Sequence, residues 1–295
     1  MEACADDLVV QRPEGLYCPP GGFFIDPWRP VDRAVITHAH ADHARRGHAH
    51  YLASAPAEGV LRARLGPITL QTLAYGEAVE HHGVRVSLHP AGHVLGSSQV
   101  RLEYGGRVWV ASGDYFVSGA GDANTTCDAF EPVRCDCFIT ESTFGLPIYR
   151  WQPQREVFAA IDAWWRSNAD AGRASLLMAY SFGKAQRILA GVDAGIGPIV
   201  VHGAVEPLNA AYRAAGVALP PTRLVTDVAD KGDLRCALVV APPSVQGSPW
   251  LRRFPDSSDA FASGWMQLRG ARRRSFLSAT SVTSWVGGKA TPAAR

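Results

Sequence analysis

The sequence lacks the features that mark membrane, secreted and disulfide-rich proteins. Its 295 residues contain no apolar run close to the roughly 18 residues of a membrane-spanning helix. The segment MEACADDLVV begins with acidic residues, where a secretory signal would carry basic residues before an apolar run. The six cysteines form no Cys-x-x-Cys pair, so we expect thiols, most of them buried. These absences predict a cytoplasmic globular protein with no membrane partner.

The sequence also lacks two common catalytic signatures and a strong net charge. It contains no Gly-x-Ser-x-Gly segment and no glycine loop of the kind that cradles phosphate. The net charge is only +2, but no acidic residue follows Asp259, whereas several arginines do. A basic stretch of this kind suits a phosphate backbone and is equally consistent with a solvated surface strip.

The sequence pattern changes near residue 150. Before it, short segments read as strands that end in polar residues: RAVIT, VRVSLH, the pair within SQVRLEYGGRVWVAS, and CFIT. We interpret the CFIT strand as buried. After it, helical segments alternate with short apolar runs that suit buried parallel strands. We therefore predict an α/β protein with a metal-binding half at 1–150, an α/β cap-like region at 151–255 and a return to the core at 256–295.

The segment THAHADH, at 37–43, directly follows the end of the first of these strands. Its His38, His40, Asp42 and His43 carry imidazole and carboxylate groups, which are natural ligands of zinc. Alternate side chains of an extended loop point the same way, so the segment can serve two metal ions lying close together. The alternative is a solvated loop that happens to be rich in histidine.

Two later strand ends offer further ligands and favour the metal site. HPAGHVLGSSQ places His93 in a loop of small residues, and VWVASGDYF places Asp114 just after a strand. Two zinc ions that share a water molecule would lower its pKa toward neutrality. We predict a first zinc ion held by His38, His40, His93 and Asp114, and a second held by Asp42, His43 and the shared Asp114.

In order, spacing and flanking sequence these residues resemble the metallo-β-lactamase fold hydrolases. AGHVLGS, SGDY and ITESTFG resemble the nucleic-acid-processing branch, which includes the endonuclease subunit of pre-messenger RNA cleavage and the Artemis group of DNA repair nucleases. More narrowly, GLYCPPGGFFIDPWRPVDRAVITHAHADHAR, ESTFGLPIYRW and ASGWMQLRGARRR look like the bacterial ligase-associated DNA exonucleases. The resemblance runs from about residue 9 to residue 274.

The resemblance implies a four-layer αβ/βα sandwich with an inserted cap, two zinc ions at one edge of the sheets, and phosphodiester hydrolysis. Asp42 and Glu141 are the candidate catalytic residues. In the resembled branch, the glutamate that matches Glu141 orients a histidine near the leaving group; alternatively, Glu141 is a paired or capping carboxylate. The candidate nucleic-acid contacts are Arg45, Arg46 and Lys184, the last in a Gly-Lys-Ala-Gln helix start that matches the family.

The sequence departs from the resembled exonucleases after GARRR. Those proteins continue with Ser-Asp-His-Ala-Asp-Trp and a later Thr-His-Gly that supplies the last ligand of the second metal, whereas this chain reads SFLSATSVTSWVGGKATPAAR. We expect that a frameshift or similar event near residue 275 replaced the closing elements, which would weaken the second zinc site and reduce activity. If neither of the gene's other two reading frames encodes Ser-Asp-His-Ala-Asp-Trp, this expectation is wrong.

Three functions stay open on the sequence. The first is a zinc-dependent DNA exonuclease in repair, linked in function to a DNA ligase or helicase, where the ligase link rests on the resemblance alone. The second is an RNA-processing nuclease of the same fold, which differs from the first only in its substrate, and no feature of the sequence reads a 2′-hydroxyl. The third is a nucleic-acid-binding remnant without catalysis, which would bind in a salt-sensitive way.

Overall fold

The computed structural model describes residues 7–118, 122, 124–142, 152–228, 232, 234–263 and the backbone of 285–290. The chain divides into two compact units: the first contains the residues up to Ser142 together with Ala214–Val217, and the second contains the rest. The three-part division at residues 150 and 255 stays a prediction. The tail after GARRR, for which we expect a frameshift, lies outside the described residues except for the backbone of 285–290.

The first sheet of the first unit has six strands that lie side by side in chain order. Its first three strands are antiparallel, and the last four are parallel to one another. The strands are β1 (Val10–Arg12), β2 (Gly15–Cys18), β3 (Phe23–Ile25), β4 (Arg33–Val35), β5 (His50–Ser54) and β6 (Leu70–Leu73), with helix α1 (Glu58–Leu65) between β5 and β6.

The second sheet of this unit has five strands, which also lie side by side in chain order. They are β7 (Ala78–His81), β8 (Val84–Pro90), β9 (Ser98–Tyr104), β10 (Arg107–Ala111) and β11 (Cys137–Ile139). β7 to β10 are antiparallel neighbours, whereas β11 lies parallel to β10 at the edge. The prediction that CFIT is buried is wrong, because an edge strand pairs on one side only and leaves Phe138 exposed.

One apolar core lies between the two sheets of the first unit. Ile25 and Val35 of the first sheet pack in the same cluster as Leu88 and Leu102 of the second. Side chains alternate between the faces of a strand, so each sheet turns one apolar face to this core. The backbone N–H of Ser98 donates to the carbonyl of Thr37, at 2.8 Å, and thereby links the loop after β4 to the start of β9.

The second unit contains the third sheet, whose strands are parallel except for the last. In spatial order they are β14 (Arg223–Leu224), β13 (Ile199–Val201), β15 (Leu238–Ala241), β12 (Ala174–Met178), β16 (Ser257–Ala262) and β17 (Trp285–Ala290). The helices are α2 (Gln154–Asp170), α3 (Lys184–Gly191) and α4 (Glu206–Ala214). Apolar clusters cover both faces of β12, which explains why its sequence is continuously apolar.

The α/β class, the strands predicted for the quoted segments, and the alternation of helices with parallel strands after residue 150 are confirmed. Among the five described cysteines only Cys18 is buried, so the prediction that most are buried is wrong. In the part of the chain that the structure describes, no helix combines the length and apolar character needed to span a membrane.

Candidate metal centre

The loop after β4 and the loops after β8 and β10 bring four predicted ligands of the first ion together. Their ligand atoms all lie within 4.8 Å of one another, and the residues are His38, His40, His93 and Asp114. His38 is buried, while the other three are half-buried. These residues come from both sheets of the first unit, so their meeting depends on how the two sheets pack.

The first cluster has the size of a zinc site. In a tetrahedral zinc site with bonds of about 2.0–2.1 Å to nitrogen, the ligand atoms lie about 3.3 Å apart. Nδ1 of His40 lies 2.9 Å from Nε2 of His38 and 3.3 Å from Nε2 of His93. Oδ2 of Asp114 lies 3.5 Å from Nε2 of His93 and 3.8 Å from Nε2 of His38. Three imidazole nitrogens and one carboxylate oxygen therefore fit a zinc ion in both spacing and chemistry.

A second cluster adjoins the first through Asp114. It consists of His43, Asp114 and Glu141, again with ligand atoms within 4.8 Å of one another. Nε2 of His43 lies 3.8 Å from Oδ1 of Asp114 and 3.8 Å from Oε1 of Glu141. Asp114 thus turns Oδ2 toward the first cluster and Oδ1 toward the second, as a carboxylate that bridges two metal ions would.

Asp42 lies at the margin of the second cluster. Its Oδ2 is 3.9 Å from Nε2 of His43, and its side chain is 77% exposed. Glu141, for which we expected a support role beside a histidine, lies among the potential ligands instead. The roles assigned to Asp42 and Glu141 stay predictions.

Asp26, which the sequence analysis did not single out, holds the ligand loop from behind. Its carboxylate accepts hydrogen bonds from the backbone N–H of Thr37, at 2.7 Å, and from the Thr37 hydroxyl, at 2.5 Å. Oδ2 also lies 2.7 Å from Nδ1 of His43. A carboxylate on the far nitrogen of a metal-binding histidine fixes its tautomer and orientation. The sequence does carry one signal that could have identified Asp26, which is its position. It directly follows the strand β3, just as the predicted ligands follow strands of their own.

Two glycines allow the loops that carry His93 and Asp114 to approach their neighbours. Gly92 has φ +75°, and a Cβ there would lie 2.3 Å from the carbonyl oxygen of Phe116. Gly113 has φ +53°, and a Cβ there would lie 2.5 Å from Oγ1 of Thr37. A larger residue at either position would displace the ligand that follows it.

The histidines of the two clusters differ in their affinity for protons. Burial, and then the neighbouring histidines, hold the pKa of His38 well below its usual value, so its Nε2 lone pair stays available. Burial alone would also lower the pKa of His43. The hydrogen bond to Asp26 and the charges of Asp26, Asp114 and Asp42 outweigh that effect and raise it to about 9.

Glu141 also retains its proton more readily than an ordinary carboxylic acid. Its pKa is raised to about 7, chiefly by burial; the charge of His43 acts to lower it, and the nearby Asp114 acts to raise it. The second cluster therefore attracts positive charge when no cation is bound, since both His43 and Glu141 favour their protonated forms. A divalent cation would supply that charge in place of the protons.

Basic side chains border the ligand loop on one side. Arg45 and Arg46 are exposed, and they donate to the carbonyls of Trp28, at 3.4 Å, and Arg64, at 3.2 Å. Arg64, which the sequence analysis did not single out, is half-buried at the end of α1 and donates to the carbonyl of Ala39. The ligand loop therefore has three arginines beside it.

Lys184 lies in the second unit, at the first residue of α3. It is half-buried, and burial followed by the charge of Arg187 lowers its pKa to about 7. At neutral pH its ammonium group would therefore carry only part of a charge. Its assignment as a phosphate contact stays a prediction.

Known relatives of this sequence carry the names of nucleic-acid enzymes. No family model matches the chain. It is 30% identical over 265 residues to a probable DNA ligase of Opitutus terrae. The aligned region makes up 89% of this chain and 25% of that relative. It is 32% identical over 124 residues to Endoribonuclease YSH1 of Yarrowia lipolytica. Here the aligned region makes up 42% of this chain and 14% of the relative.

A third relative comes from an animal. The chain is 29% identical over 125 residues to cleavage and polyadenylation specificity factor 73 of Drosophila melanogaster. These aligned residues make up 42% of this chain and 18% of that protein. The chain thus spans a quarter or less of the length of these three curated relatives. The likeness to the DNA ligase extends over most of this chain, whereas the likeness to the other two covers less than half of it.

Proposed function

We propose that this chain is a zinc-dependent phosphodiesterase of the metallo-β-lactamase type that cleaves DNA, as an exonuclease in DNA repair. The observation that carries the proposal is the pair of ligand clusters joined by the two oxygens of Asp114. Paired metal ions that share a carboxylate are a common arrangement in enzymes that hydrolyse phosphate esters. The names of the relatives support a nucleic acid as the substrate.

The chain's own residues would divide the work of hydrolysis. Bound zinc ions supply Lewis-acid activation of water and neutralise charge on the phosphate. His38, kept neutral by its surroundings, presents a nitrogen lone pair without first having to lose a proton. Asp26 keeps Nε2 of His43 directed at the second cluster by holding Nδ1. The exposed Arg45 and Arg46 are the groups that would contact the phosphate backbone.

DNA is favoured over RNA by the extent of the sequence likeness. The relative that aligns over 89% of this chain is named a probable DNA ligase, whereas the endoribonuclease aligns over 42%. Cleavage of RNA is the second candidate, because one of the aligned relatives is named an endoribonuclease. A functional link to a ligase or helicase, and a cytoplasmic location, remain predictions.

The proposal is tested by cleavage of end-labelled DNA and RNA strands of matched sequence, with zinc and with a chelator. We expect zinc-dependent shortening of DNA from one end, abolished by chelation. His40→Ala removes a ligand of the first cluster and should reduce the rate by about 100-fold or more. His50→Ala is the matched control, because His50 is an exposed histidine that contacts Asp32 at 3.2 Å.

Three results would redirect the proposal. Faster cleavage of RNA than of DNA would select the RNA-processing alternative. Internal cuts without progressive shortening would contradict the exonuclease mode. Salt-sensitive binding without cleavage of either strand would identify a nucleic-acid-binding remnant and overturn the proposed activity.

A further inference from the structure

Exposed aromatic side chains lie next to the metal centre. Tyr115 is 37% exposed, and its ring lies beside that of Phe138, which is 40% exposed, and that of the half-buried Phe130. We call Tyr115, Phe130 and Phe138 the aromatic patch. Val117, which is 61% exposed, follows Tyr115 two residues later. Single exposed apolar residues are ordinary on a protein surface, but a group of them marks a binding surface more often.

The rings of the aromatic patch are held in fixed relative positions. The Tyr115 ring centre lies 6.1 Å from that of Phe138, edge to face, and 5.5 Å from that of Phe130. The hydroxyl of Thr140 donates to the phenolic oxygen of Tyr115 at 3.3 Å. Phe138 is the central residue of the edge strand β11, so no further strand among the described residues covers its outer side. The patch is therefore ordered and open to solvent.

The patch adjoins the potential ligands of the second cluster at two points. Tyr115 directly follows Asp114, and Thr140 directly precedes Glu141, each one Cα step of about 3.8 Å away. A phosphate held at the metal centre would place the base of a neighbouring nucleotide within reach of these rings. The carboxylates at the metal centre would repel an acidic ligand unless metal ions held it. The ligand that fits both features has its negative charge at the metal ions and an apolar face against the aromatic patch.

From this arrangement we infer that the aromatic patch stacks an unpaired base beside the scissile phosphate, so that the substrate is a single strand or a frayed end. The inference rests on the proposed function. Bases within a duplex are already stacked on one another, whereas the bases of a single strand can splay out and stack on aromatic side chains. Stacking does not depend on the identity of the base, so cleavage should be tolerant of sequence.

The test measures binding to the intact, zinc-loaded chain, with phosphorothioate linkages in both probe strands so that cleavage does not interfere. The probes are a fluorescent, end-labelled oligothymidylate and an abasic strand of the same length, followed by fluorescence anisotropy. We expect the wild-type chain to bind oligothymidylate about tenfold more tightly than the abasic strand. Phe138→Ala and Tyr115→Ala should each weaken binding of oligothymidylate about tenfold and leave binding of the abasic strand unchanged.

Conservative and remote variants separate stacking from damage to the fold. Phe138→Tyr and Tyr115→Phe keep a ring at each position and should bind like the wild type. Tyr104→Ala is the matched control, because Tyr104 is 45% exposed and lies at the opposite end of β9 from the ligand loop, about 20 Å away. Zinc content and circular dichroism of every variant report whether the metal centre and the fold are intact.

Each outcome decides between the inference and the proposed function. Equal binding of both strands by the wild type, or wild-type binding by both alanine variants, would overturn the stacking inference while cleavage still supports the function. A change in sedimentation with unchanged binding would assign the patch to contact between copies and overturn the inference. Preferential binding of oligothymidylate without cleavage would support the patch and refute the activity. If no strand binds, both fail.

Discussion

At the scale of single residues, Asp26 determines how the ligand loop reaches the metal centre. It adopts a left-handed backbone conformation, with φ 43°, which aspartate tolerates better than most residues. In this conformation its carboxylate contacts both Thr37 and His43, the first and last residues of the segment THAHADH. One side chain thus ties together the beginning of the loop and a potential ligand.

We predict that Asp26→Asn weakens metal binding at the second cluster. Asparagine can present its NH₂ group toward Nδ1 of His43, which would favour the tautomer that carries its proton on Nε2, the nitrogen that faces the cluster. The affinity for the second zinc ion should fall by about 10- to 100-fold. Competition titration with a zinc chelator measures this affinity.

The control for Asp26→Asn is Asp32→Asn. Asp32 is an exposed aspartate whose carboxylate also contacts a histidine, His50, at 3.2 Å, but it belongs to neither cluster. Its replacement should leave zinc binding unchanged. Retention of two tightly held ions by Asp26→Asn would show that Asp26 does not orient His43.

At the scale of secondary-structure elements, the turn after β10 sets the position of Asp114. The strand ends at Ala111, and Gly113 turns the chain with φ +53° while its Cα lies against Thr37. Thr37 in turn follows β4 in the other sheet of the first unit. The closeness of two strand ends from different sheets therefore depends on the absence of a side chain at one position.

We predict that Gly113→Ala disrupts this turn. The new Cβ would meet Oγ1 of Thr37 at 2.5 Å, and the positive φ adds backbone strain of about 1–2 kcal/mol. Displacement of Asp114 should reduce zinc binding at both clusters, because this residue faces each of them. Zinc content after dialysis and the free energy of unfolding in urea measure the two effects.

Gly105→Ala is the matched control for Gly113→Ala. Gly105 also has a positive φ, +58°, but a Cβ there would meet no heavy atom within 4 Å. It should show the backbone strain alone and keep its zinc. If the two variants lose the same stability and both keep zinc, the close approach to Thr37 is not what positions Asp114.

At the scale of the whole molecule, every residue of the two clusters lies in the first unit. They come from separate loops between His38 and Glu141, and the two sheets that carry these loops share one core. Metal ions held by both sheets would cross-link the edge at which the loops meet. The ions would therefore stabilise the folded state as well as supply chemistry.

We predict that zinc raises the unfolding temperature of the chain and that chelation reverses the effect. At a free zinc concentration of 100 times Kd, a single site contributes about 2.7 kcal/mol, equivalent to roughly 5–10 °C for a domain of this size. Scanning calorimetry with and without chelator measures the shift. His40→Ala should show a smaller shift than His50→Ala, and equal shifts in the two variants would contradict a stabilising site at the first cluster.

Much of the secondary structure could be predicted from the sequence, because the periodicity of apolar residues is a local property. The helices α2, α3 and α4 and the strands β8, β9, β12, β13 and β15 coincide with such patterns. The exposure of β11 could not be predicted in this way. Its three residues are apolar, and only the strand order shows that they lie at a sheet edge.

The sequence by itself determined which residue types carry the chemistry, since a histidine or aspartate at a strand end is visible without a structure. Only the tertiary structure decided which of them meet. It made Glu141, and not Asp42, a member of the second cluster, and it brought Asp26 against His43. The physical reason is that these distances depend on sheet order and sheet packing, which join residues far apart in the chain and leave no periodic trace in it.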